Sequence, residues 1–348
     1  MTIFAICNPK KMKFRSYCIL ALGLLSLSSC KEKEIEKTYM DGNLKVDCKI
    51  PHYVNPGDSF TITASGITAP DGTDVAYYYT STANSKRRDT LYTVPAVFHF
   101  EVPDTLGSFT LSVVAYPVQS SDKYYHSTGS VEFVIVKDDA DNGSLTGIPD
   151  HDEEMQEELY SRKYKVTSAG DKEWIRSNLC YIERNSEGTE TFGRSYAGSK
   201  AMQNIFGAYY TWEEAQKACP AGWHLPTDEE WVALLKSCGA PSGLKPLEDS
   251  PSGAGALMVK ARFNGDEMWS YYRGVNITDK CISVIPAGYA VKASSGWNYV
   301  GYQSYAAFWT ADALADQGVY RYIYKENDNV FVGVASKTDF AANVRCVR

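Results

Sequence analysis

The stretch "AYYTWEEAQKACPAGWHLPTDEEW", residues 208–231, decides how the second half of this chain folds. Its 24 residues hold three Trp, one Cys, one His and five acidic side chains, a mixture that suits either a catalytic centre or a structural signature. Residues 211–214 (TWEE) and 227–230 (TDEE) both match a capping box, in which the Thr hydroxyl accepts from the amide three residues on and the Glu returns to the Thr amide. The stretch therefore predicts the starts of two short helices joined by a loop.

The two predicted helices each carry one apolar face. The first places Trp212, Ala215 and Cys219 on one face, and the second carries Trp231, Leu234 and Leu235 and ends at Gly239. A long segment rich in Gly, Tyr and Trp follows, and then a short last strand, "NVRCVR" (343–348). This order resembles a C-type-lectin-like fold, with the likeness carried by these residues: Trp212, Ala215, Cys219, Gly222, His224, Leu225 and Glu230. The resemblance implies an α+β domain over 159–348 and a disulfide between Cys219 and Cys346.

Five ordered blocks give a closer resemblance. They are "EWIRSNLCY" (173–181), residues 207–231, "PAGY" (286–289), "FWT" (308–310) and "VRCVR" (344–348). Together they resemble the Fibrobacter succinogenes major paralogous domain, a family of secreted and surface proteins for which no general activity is established. Cys180 stands where most members of that family would carry Asn, which we interpret as an extra bridge. Because Cys180, Cys238 and Cys281 are an odd remainder, at least one of them is expected to stay free.

Residues 41–137 show a different pattern. Short runs of alternating apolar residues, such as "SFTITA" (59–64) and "VFHFEV" (97–102), are separated by turn signals such as "NPGD" (55–58). Apolar residues at every second position, over many short runs, predict an antiparallel β-sandwich. The stretch "DTLGSFTLSVVAY" (104–116) resembles the late strands of immunoglobulin-like and PKD-like modules, which implies an all-β immunoglobulin/PKD-like fold. Cys48 is expected to be a buried free thiol.

An acidic segment, residues 138–158, separates the two predicted domains and reads as a solvated linker. A calcium loop of the EF-hand type beginning at Asp138 would need an oxygen ligand at position 140 and Glu at position 149. The chain has Ala140 and Pro149 instead, so no metal site is predicted there. The sequence predicts no cofactor elsewhere either.

The N-terminus resembles a bacterial lipoprotein signal. Lys10, Lys11, Lys13 and Arg15 precede the apolar run 17–27, which is too short to span a bilayer, and the run ends in "LSSC" (27–30). The resemblance implies a signal peptide over 1–29, cleavage before Cys30, acylation of the Cys30 thiol and a tether over 30–40. The charged start "KEKEIEK" (31–37) resembles the export signal of Bacteroidota surface lipoproteins, so we expect attachment to the outer membrane, facing the cell exterior.

The charge of the chain excludes two classes of partner. The formal net charge is −7, and removing residues 1–29 removes four cations and no acids, which gives −11. Nucleic-acid binding needs clustered Lys and Arg to neutralise phosphates, and the sequence shows no basic stripe. The same balance argues against an electrostatic grip on anionic lipid, so the predicted membrane contact is made by the N-terminal lipid.

The residues of the opening stretch do not complete an active site. A metal hydrolase needs about three side-chain ligands, whereas His224 is the single histidine after the linker. A nucleophile made of Cys219 and His224 needs a free thiolate, which the implied disulfide removes. Formylglycine-generating enzymes, which share a related fold, use paired cysteines near the C-terminus, and this chain has Cys346 alone there. We therefore predict a non-enzymatic protein and keep a remote formylglycine-type enzyme as an unfavoured alternative.

Aromatic side chains mark the candidate binding surface. Residues 296–310, "GWNYVGYQSYAAFWT", fall in the long-loop region where lectin-like folds bind ligands. Core packing is favoured for Trp269, Phe308 and Trp309, whereas exposure and core packing are equally open for the candidate ligand-binding residues Trp297, Tyr299, Tyr302 and Tyr305. Exposed aromatics would stack on sugars or anchor a protein. The predicted function is therefore a surface binding or adhesion module for a glycan or protein partner, with a structural subunit of a surface assembly as the alternative.

Overall fold

A computed structural model describes residues 36–84, 90–139, 142–149, 155–269 and 274–348. The predicted signal peptide and Cys30 lie outside this range. Within it, no helix has the length and hydropathy needed to cross a membrane.

The N-terminal part is all β, as predicted. Its described residues form strands β1 to β9, which are Thr38–Tyr39, Asp41–Cys48, Tyr53–Val54, Ser59–Thr68, Val75–Ser81, Ala96–Glu101, Gly107–Pro117, Tyr124–Tyr125 and Ser127–Ile135. One sheet has the order β2-β4-β6 and the other β3-β9-β7-β5. Side chains of both sheets fill one core, in which the rings of Phe100 and Phe133 are 5.7 Å apart.

Three details of this sandwich differ from the sequence prediction. The short pairs β1–β8 and β3–β9 are parallel, whereas we predicted a purely antiparallel arrangement. Strand β5 was not predicted, because its sequence, "VAYYYTS", shows no alternation of apolar and polar residues. The expected thiol at Cys48 is free, but it is half-buried.

The second part combines short helices with small sheets. Its strands, β10 to β23, are Leu145–Thr146, Met155–Leu159, Arg162–Ala169, Lys172–Ile175, Glu183–Arg184, Glu190–Phe192, Arg262–Phe263, Asp266–Glu267, Tyr289–Ala293, Gly296–Val300, Tyr305–Leu314, Gln317–Tyr324, Val330–Ser336 and Phe340–Ala341. Its helices, α1 to α4, are Lys200–Phe206, Trp212–Ala218, Asp228–Ser237 and Ala254–Leu257, and a 3-10 turn spans Tyr196–Gly198. The largest of its sheets are the three-stranded β11-β12-β13, β19-β18-β23 and β20-β21-β22, with β10-β16-β17 alongside.

Both capping boxes form in the structure. The Thr211 and Thr227 side chains accept from the amides of Glu214 and Glu230, and each Glu carboxylate accepts from its Thr amide. Because these local bonds satisfy amides that a helix start leaves unpaired, helices α2 and α3 begin where the sequence predicts.

The predicted linker is only partly a linker. Strand β10 pairs with β16, and Ser144 beside it is buried. The amide of Lys137 donates to the Ser144 hydroxyl at 2.9 Å, which folds this segment back on itself. A solvated hinge over the whole of 138–158 is therefore wrong, because its apolar residues Leu145 and Ile148 pack against the second part.

The two parts share a hydrophobic cluster. Val136, at the end of the sandwich, is fully buried among residues of the second part, and Tyr53 packs at the edge of the same cluster. The Ser199 hydroxyl donates to the carbonyl of Tyr53 at 3.2 Å, and the Asn264 amide donates to the carbonyl of Ile135 at 3.2 Å. The junction is therefore packed and hydrogen-bonded, and it places side chains of both parts around one cleft.

Candidate functional site

A cleft of about 750 Å³ opens at the junction of the two parts. The side chains that give it its chemistry are His52, Tyr53, Glu190, Tyr196, Trp297 and Tyr299. Two come from the sandwich and four from the second part. Binding sites combine apolar walls with a few polar groups that orient a ligand, and this lining has that composition.

Trp297 and Tyr299 reach the cleft from the hairpin of β18 and β19. Residues two apart on a strand share a face, so the two rings lie on one side of β19. The Arg194 guanidinium lies over the Trp297 ring, 4.2 Å from its centre, and forms an ion pair with Glu214 at 2.8 Å. Glu214 is also the capping carboxylate of α2. The capping box thus supports Trp297 through Arg194, because the cation–π contact of Arg194 holds the Trp297 ring in place.

Tyr196 forms the wall between the two parts. Its ring centre is 5.0 Å from that of Tyr299 and 5.8 Å from that of Tyr53. The hydroxyl of Tyr299 donates to the carbonyl of Ser195, which ties the hairpin to the 3-10 turn. Burial, with a smaller contribution from Tyr53, raises the pKa of Tyr196 to about 12. The phenol is therefore protonated at neutral pH and can both donate and accept a hydrogen bond.

Glu190 places a carboxylate at the cleft. It accepts from the Ser195 hydroxyl at 2.6 Å and from Arg184 at 2.9 Å, so its position is fixed by two neighbours. The exposed Asn298 adds an amide and His52 an imidazole to the rim. Aromatic faces beside a fixed carboxylate and an exposed amide suit a ligand with apolar ring faces and hydroxyl edges, which is the chemistry of a sugar.

The four aromatic residues predicted for binding do not share one site. Trp297 and Tyr299 line the cleft, whereas Tyr302 lies behind it, with its ring 5.4 Å from Phe206. Tyr305 belongs to another cluster and stacks on Tyr322 at 4.9 Å. All four are half-buried, between the two alternatives that the sequence left open. The core positions predicted for Trp269, Phe308 and Trp309 are confirmed, since each is at most 5% exposed.

Four of the six side chains that give the cleft its chemistry were missed at the sequence level. They are His52, Tyr53, Glu190 and Tyr196, all far from the aromatic segment 296–310 along the chain. The Gly- and Ser-flanked Tyr in "GRSYAGSK" (193–200) was an available signal for Tyr196, because large aromatics in such surroundings are frequently exposed. Nothing in the local sequence marks Tyr53, whose place depends on how the two parts pack.

The opening stretch 208–231 is held in a structural network. Cys219 and Cys346, the predicted pair, are joined by a disulfide that ties the end of α2 to the last residues of the chain. The His224 imidazole is 2.9 Å from Glu230. Burial acts to raise the pKa of Glu230, but bonds from the Thr227 amide, His224 and Lys172 outweigh it, and the pKa is lowered. Among the described residues, no three His, Cys, Asp or Glu side chains group to hold a metal.

The remaining cysteines follow a pattern that the sequence left open. Cys238, at the end of α3, is bonded to Cys281, so these two are not the free thiols. Cys180 is free and buried, and its sulfur lies 2.9 Å from the Tyr164 hydroxyl. The extra bridge expected at Cys180 is therefore wrong, because its candidate partners, Cys238 and Cys281, are bonded to each other.

The fold and the cleft define a mostly β protein in two packed parts, with a ligand-sized cleft between them. The model of the Fibrobacter succinogenes major domain family (Fib_succ_major) matches residues 167–348, and the chain belongs to this family. No curated protein matches the sequence. Among solved structures, the CARDB domain of the PF1109 protein from Pyrococcus furiosus, in complex with di-metal ions, matches at 10% identity. The alignment covers 29% of this chain and 91% of that domain with a TM-score of 0.20, a likeness too low to carry an argument.

Proposed function

We propose that this protein binds a glycan in the cleft between its two parts and does not change it chemically. The observation that carries the proposal is the pair of aromatic walls, Trp297 and Tyr299 on one hairpin and Tyr196 on the 3-10 turn, beside the fixed carboxylate of Glu190. Tyr and Trp give a large contact area for little lost conformational entropy, and their polar atoms can reach hydroxyl groups.

We place this cleft on a lipid-anchored surface protein. The basic residues, apolar run and "LSSC" of the N-terminus support cleavage before Cys30 and its acylation. Under this proposal residues 30–40 tether the protein to the outer membrane, and the sandwich separates the cleft from the lipid. Stable anchoring takes more than one acyl chain, and bacterial lipoproteins of this type carry three.

A C-type-lectin-like arrangement of residues 159–348 belongs to the same proposal. It is supported by two capped helices early in the domain and by the disulfide from the first of them, at Cys219, to Cys346 in the last residues. The proposal excludes thiol chemistry at Cys219 and at Cys346, because each sulfur is bonded to the other. A formylglycine-type activity is not favoured for the same reason.

Two non-enzymatic alternatives compete with glycan binding. A protein partner could use the same aromatic residues as anchors. A structural subunit is favoured by the shared cluster around Val136, which makes the two parts one packed body. Neither alternative needs the polar lining of the cleft. A sugar ligand would use both the aromatic rings of the cleft and the carboxylate of Glu190.

A glycan array probed with the mature protein tests the proposal, followed by titration of any ligand found. Trp297→Ala should weaken binding by more than about 1 kcal/mol, as at a hot spot. Tyr92→Ala is the matched control, because Tyr92 is an aromatic residue 63% exposed on the sandwich, outside the cleft. Equal binding by both variants would remove the cleft from the function. Absence of any glycan ligand, combined with capture of a surface protein, would instead favour a protein partner.

A further inference from the structure

A second cavity, of about 480 Å³, adjoins the aromatic cleft. The two cavities share Arg194 and Trp297, whose cation–π contact of 4.2 Å lies at their border. We call the second cavity the side groove, and among its other lining side chains are Phe192, Glu213, Glu214, Lys217, Lys292 and Thr338. Because one ring lines both cavities, a ligand in either of them can reach Trp297.

Two segments of the chain contribute side chains to both cavities. Strand β15 gives Glu190 to the cleft and Phe192 to the side groove. The hairpin of β18 and β19 gives Tyr299 to the cleft and Lys292 to the side groove. In the register of this hairpin Lys292 lies directly opposite Trp297, so the two side chains are neighbours on one face. The cleft and the side groove are therefore successive parts of one surface.

The border between the two cavities is held in place by Arg194. Its guanidinium donates to the two carboxylate oxygens of Glu214 at 2.9 and 2.8 Å and to the carbonyl of Tyr209 at 3.2 Å. The backbone of Arg194 also pairs with that of Tyr209 in both directions, each bond at 2.9 Å. A ligand that extends from the cleft into the side groove therefore meets a pre-ordered surface, and less binding free energy is lost in ordering the protein.

Each cation that lines the side groove has a carboxylate close to it. The Arg194 guanidinium is paired with Glu214, and the Lys292 ammonium is 3.5 Å from a carboxylate oxygen of Asp339. Glu213 precedes Lys217 by four residues in helix α2, a spacing that places the two side chains side by side. The side groove therefore offers hydrogen-bond donors and acceptors without a strong field of either sign, which suits the hydroxyl groups of a neutral ligand.

We propose that the cleft and the side groove together bind a linear, neutral glycan, with sugar units in both cavities and Trp297 in contact with the chain between them. This inference rests on the proposed function and adds a ligand class and a dependence on chain length. The aromatic rings of Tyr299 and Phe192 give each cavity an apolar wall. Cavities of about 300–1,000 Å³ hold a small ligand, and each of these two lies in that range, so a ligand in contact with both is longer than one that fills the cleft alone.

Calorimetric titration of the mature protein with glycans of increasing length tests this inference. The probes are cello-, xylo-, manno- and malto-oligosaccharides, each from the monosaccharide to the hexasaccharide, with oligogalacturonates as the acidic comparison. In at least one neutral series the affinity should rise by about ten-fold or more from the shortest binding member to the longest, because a second unit on the same chain binds at a high effective concentration. The acidic oligomers should bind more weakly than that series.

Two variants locate the gain in the side groove. Lys217→Ala/Lys292→Ala removes two exposed side chains that line it, and Thr338→Trp fills it from an exposed position. Each variant should lower the affinity for the hexasaccharide several-fold and leave the affinity for the shortest binding member unchanged. Lys45→Ala/Lys49→Ala is the matched control, because it removes two exposed lysines of the N-terminal part and should leave both affinities unchanged. Thermal melts establish that each variant is folded.

The outcomes of these titrations separate this inference from the proposed function. Equal affinity for the short and long members of every series that binds would overturn the inference and leave glycan binding in the cleft standing. A gain with length that survives in both side-groove variants would overturn it as well. Tighter binding of the oligogalacturonates than of every neutral series would refute the neutral ligand class. If no series binds, the inference fails, and the glycan array then decides whether the proposed function fails with it.

Discussion

Arg321 and Asp228, 93 residues apart in the chain, form a buried bidentate ion pair. Nε and Nη2 of Arg321 each donate to a different carboxylate oxygen at 2.6 Å, and both side chains are at most 1% exposed. Asp228 is the first residue of helix α3, directly after the capping Thr227. The pair therefore fixes the start of α3 to the middle of strand β21.

Breaking this ion pair should strongly destabilise the protein. Asp228→Asn or Arg321→Met alone leaves one buried charge uncompensated, and we expect a loss of about 3–5 kcal/mol in the free energy of unfolding. The double variant should lose less than the sum of the two. Denaturant unfolding measures this, with Lys292→Met of the exposed pair Lys292–Asp339 as the control, where about 1 kcal/mol or less is expected. Additive losses would contradict the coupling.

The two tryptophans of the segment 296–310 should contribute different amounts to the free energy of unfolding. Trp309 is fully buried and its indole donates to the carbonyl of Tyr210 at 2.7 Å, so Trp309→Ala should cost about 3–5 kcal/mol. Trp297 is half-buried and rests on Arg194, so Trp297→Ala should cost less than about 2 kcal/mol. Thermal melts of both variants decide the matter. A loss at Trp297 as large as at Trp309 would make it a core residue.

The two disulfides should stabilise the fold to similar extents. On the chain-entropy model, the Cys219–Cys346 bridge, which closes a separation of 127 residues, contributes about 5 kcal/mol. Cys238–Cys281, with a separation of 43, contributes about 4 kcal/mol. Denaturant unfolding of the two Cys→Ser pairs measures both. A negligible loss for Cys219→Ser/Cys346→Ser would show that the unfolded chain is not constrained by that bridge.

The two free thiols of the described residues should react at different rates. Burial raises the pKa of both Cys48 and Cys180, which slows both relative to an exposed cysteine. Cys180 is the more buried and is hydrogen-bonded to Tyr164, so Cys48 should be labelled at least about ten-fold faster in the native protein. Mass mapping of alkylated peptides without reduction gives both rates. Alkylation at Cys219 or Cys346 before reduction would contradict the pairing.

The proposed membrane anchor should depend on one residue. Cys30→Ala removes the thiol that the lipoprotein signal would acylate, so the variant should lose a metabolically incorporated fatty-acid probe and leave the membrane fraction. Cys48→Ala is the control, since it removes a cysteine of the sandwich. This variant should keep the fatty-acid probe and stay in the membrane fraction. Unchanged label on Cys30→Ala would refute the anchor.

Local signals in the sequence were sufficient for part of this structure. The helix starts at Thr211 and Thr227 were predictable because a capping box is made within four residues. The strands around Phe60, Phe98 and Val131 were predictable from alternation. The pairing of Cys219 with Cys346 came from a family resemblance, since spacing alone does not determine connectivity.

The cleft could not be predicted in the same way. Tyr53 and Tyr196 meet because the sandwich packs against the second part, and no pattern in either segment encodes that contact. Strand β10 was missed for a related reason, because two residues in an acidic segment give no periodic signal and are ordered by their partner strand. Tyr305 shares its sequence surroundings with Tyr302, yet Tyr302 lies in the turn before β20 and Tyr305 begins that strand, and the two rings pack in different clusters.

The order in which the chain is made constrains how the second part can fold. Val347 bridges Trp174 and His224, and Arg345 contacts the carbonyl of Ile175 across a separation of 170 residues. At the usual speed of translation, about 5–20 residues per second, residue 175 is made roughly 10–30 s before residue 345. During that interval the buried surface of Trp174 and the thiol of Cys219 have no final partner. The strands of the sandwich, by contrast, pair only with one another in the described residues. The nascent protein therefore carries one half whose sheets can form early and one half that depends on protection until its last strand is available.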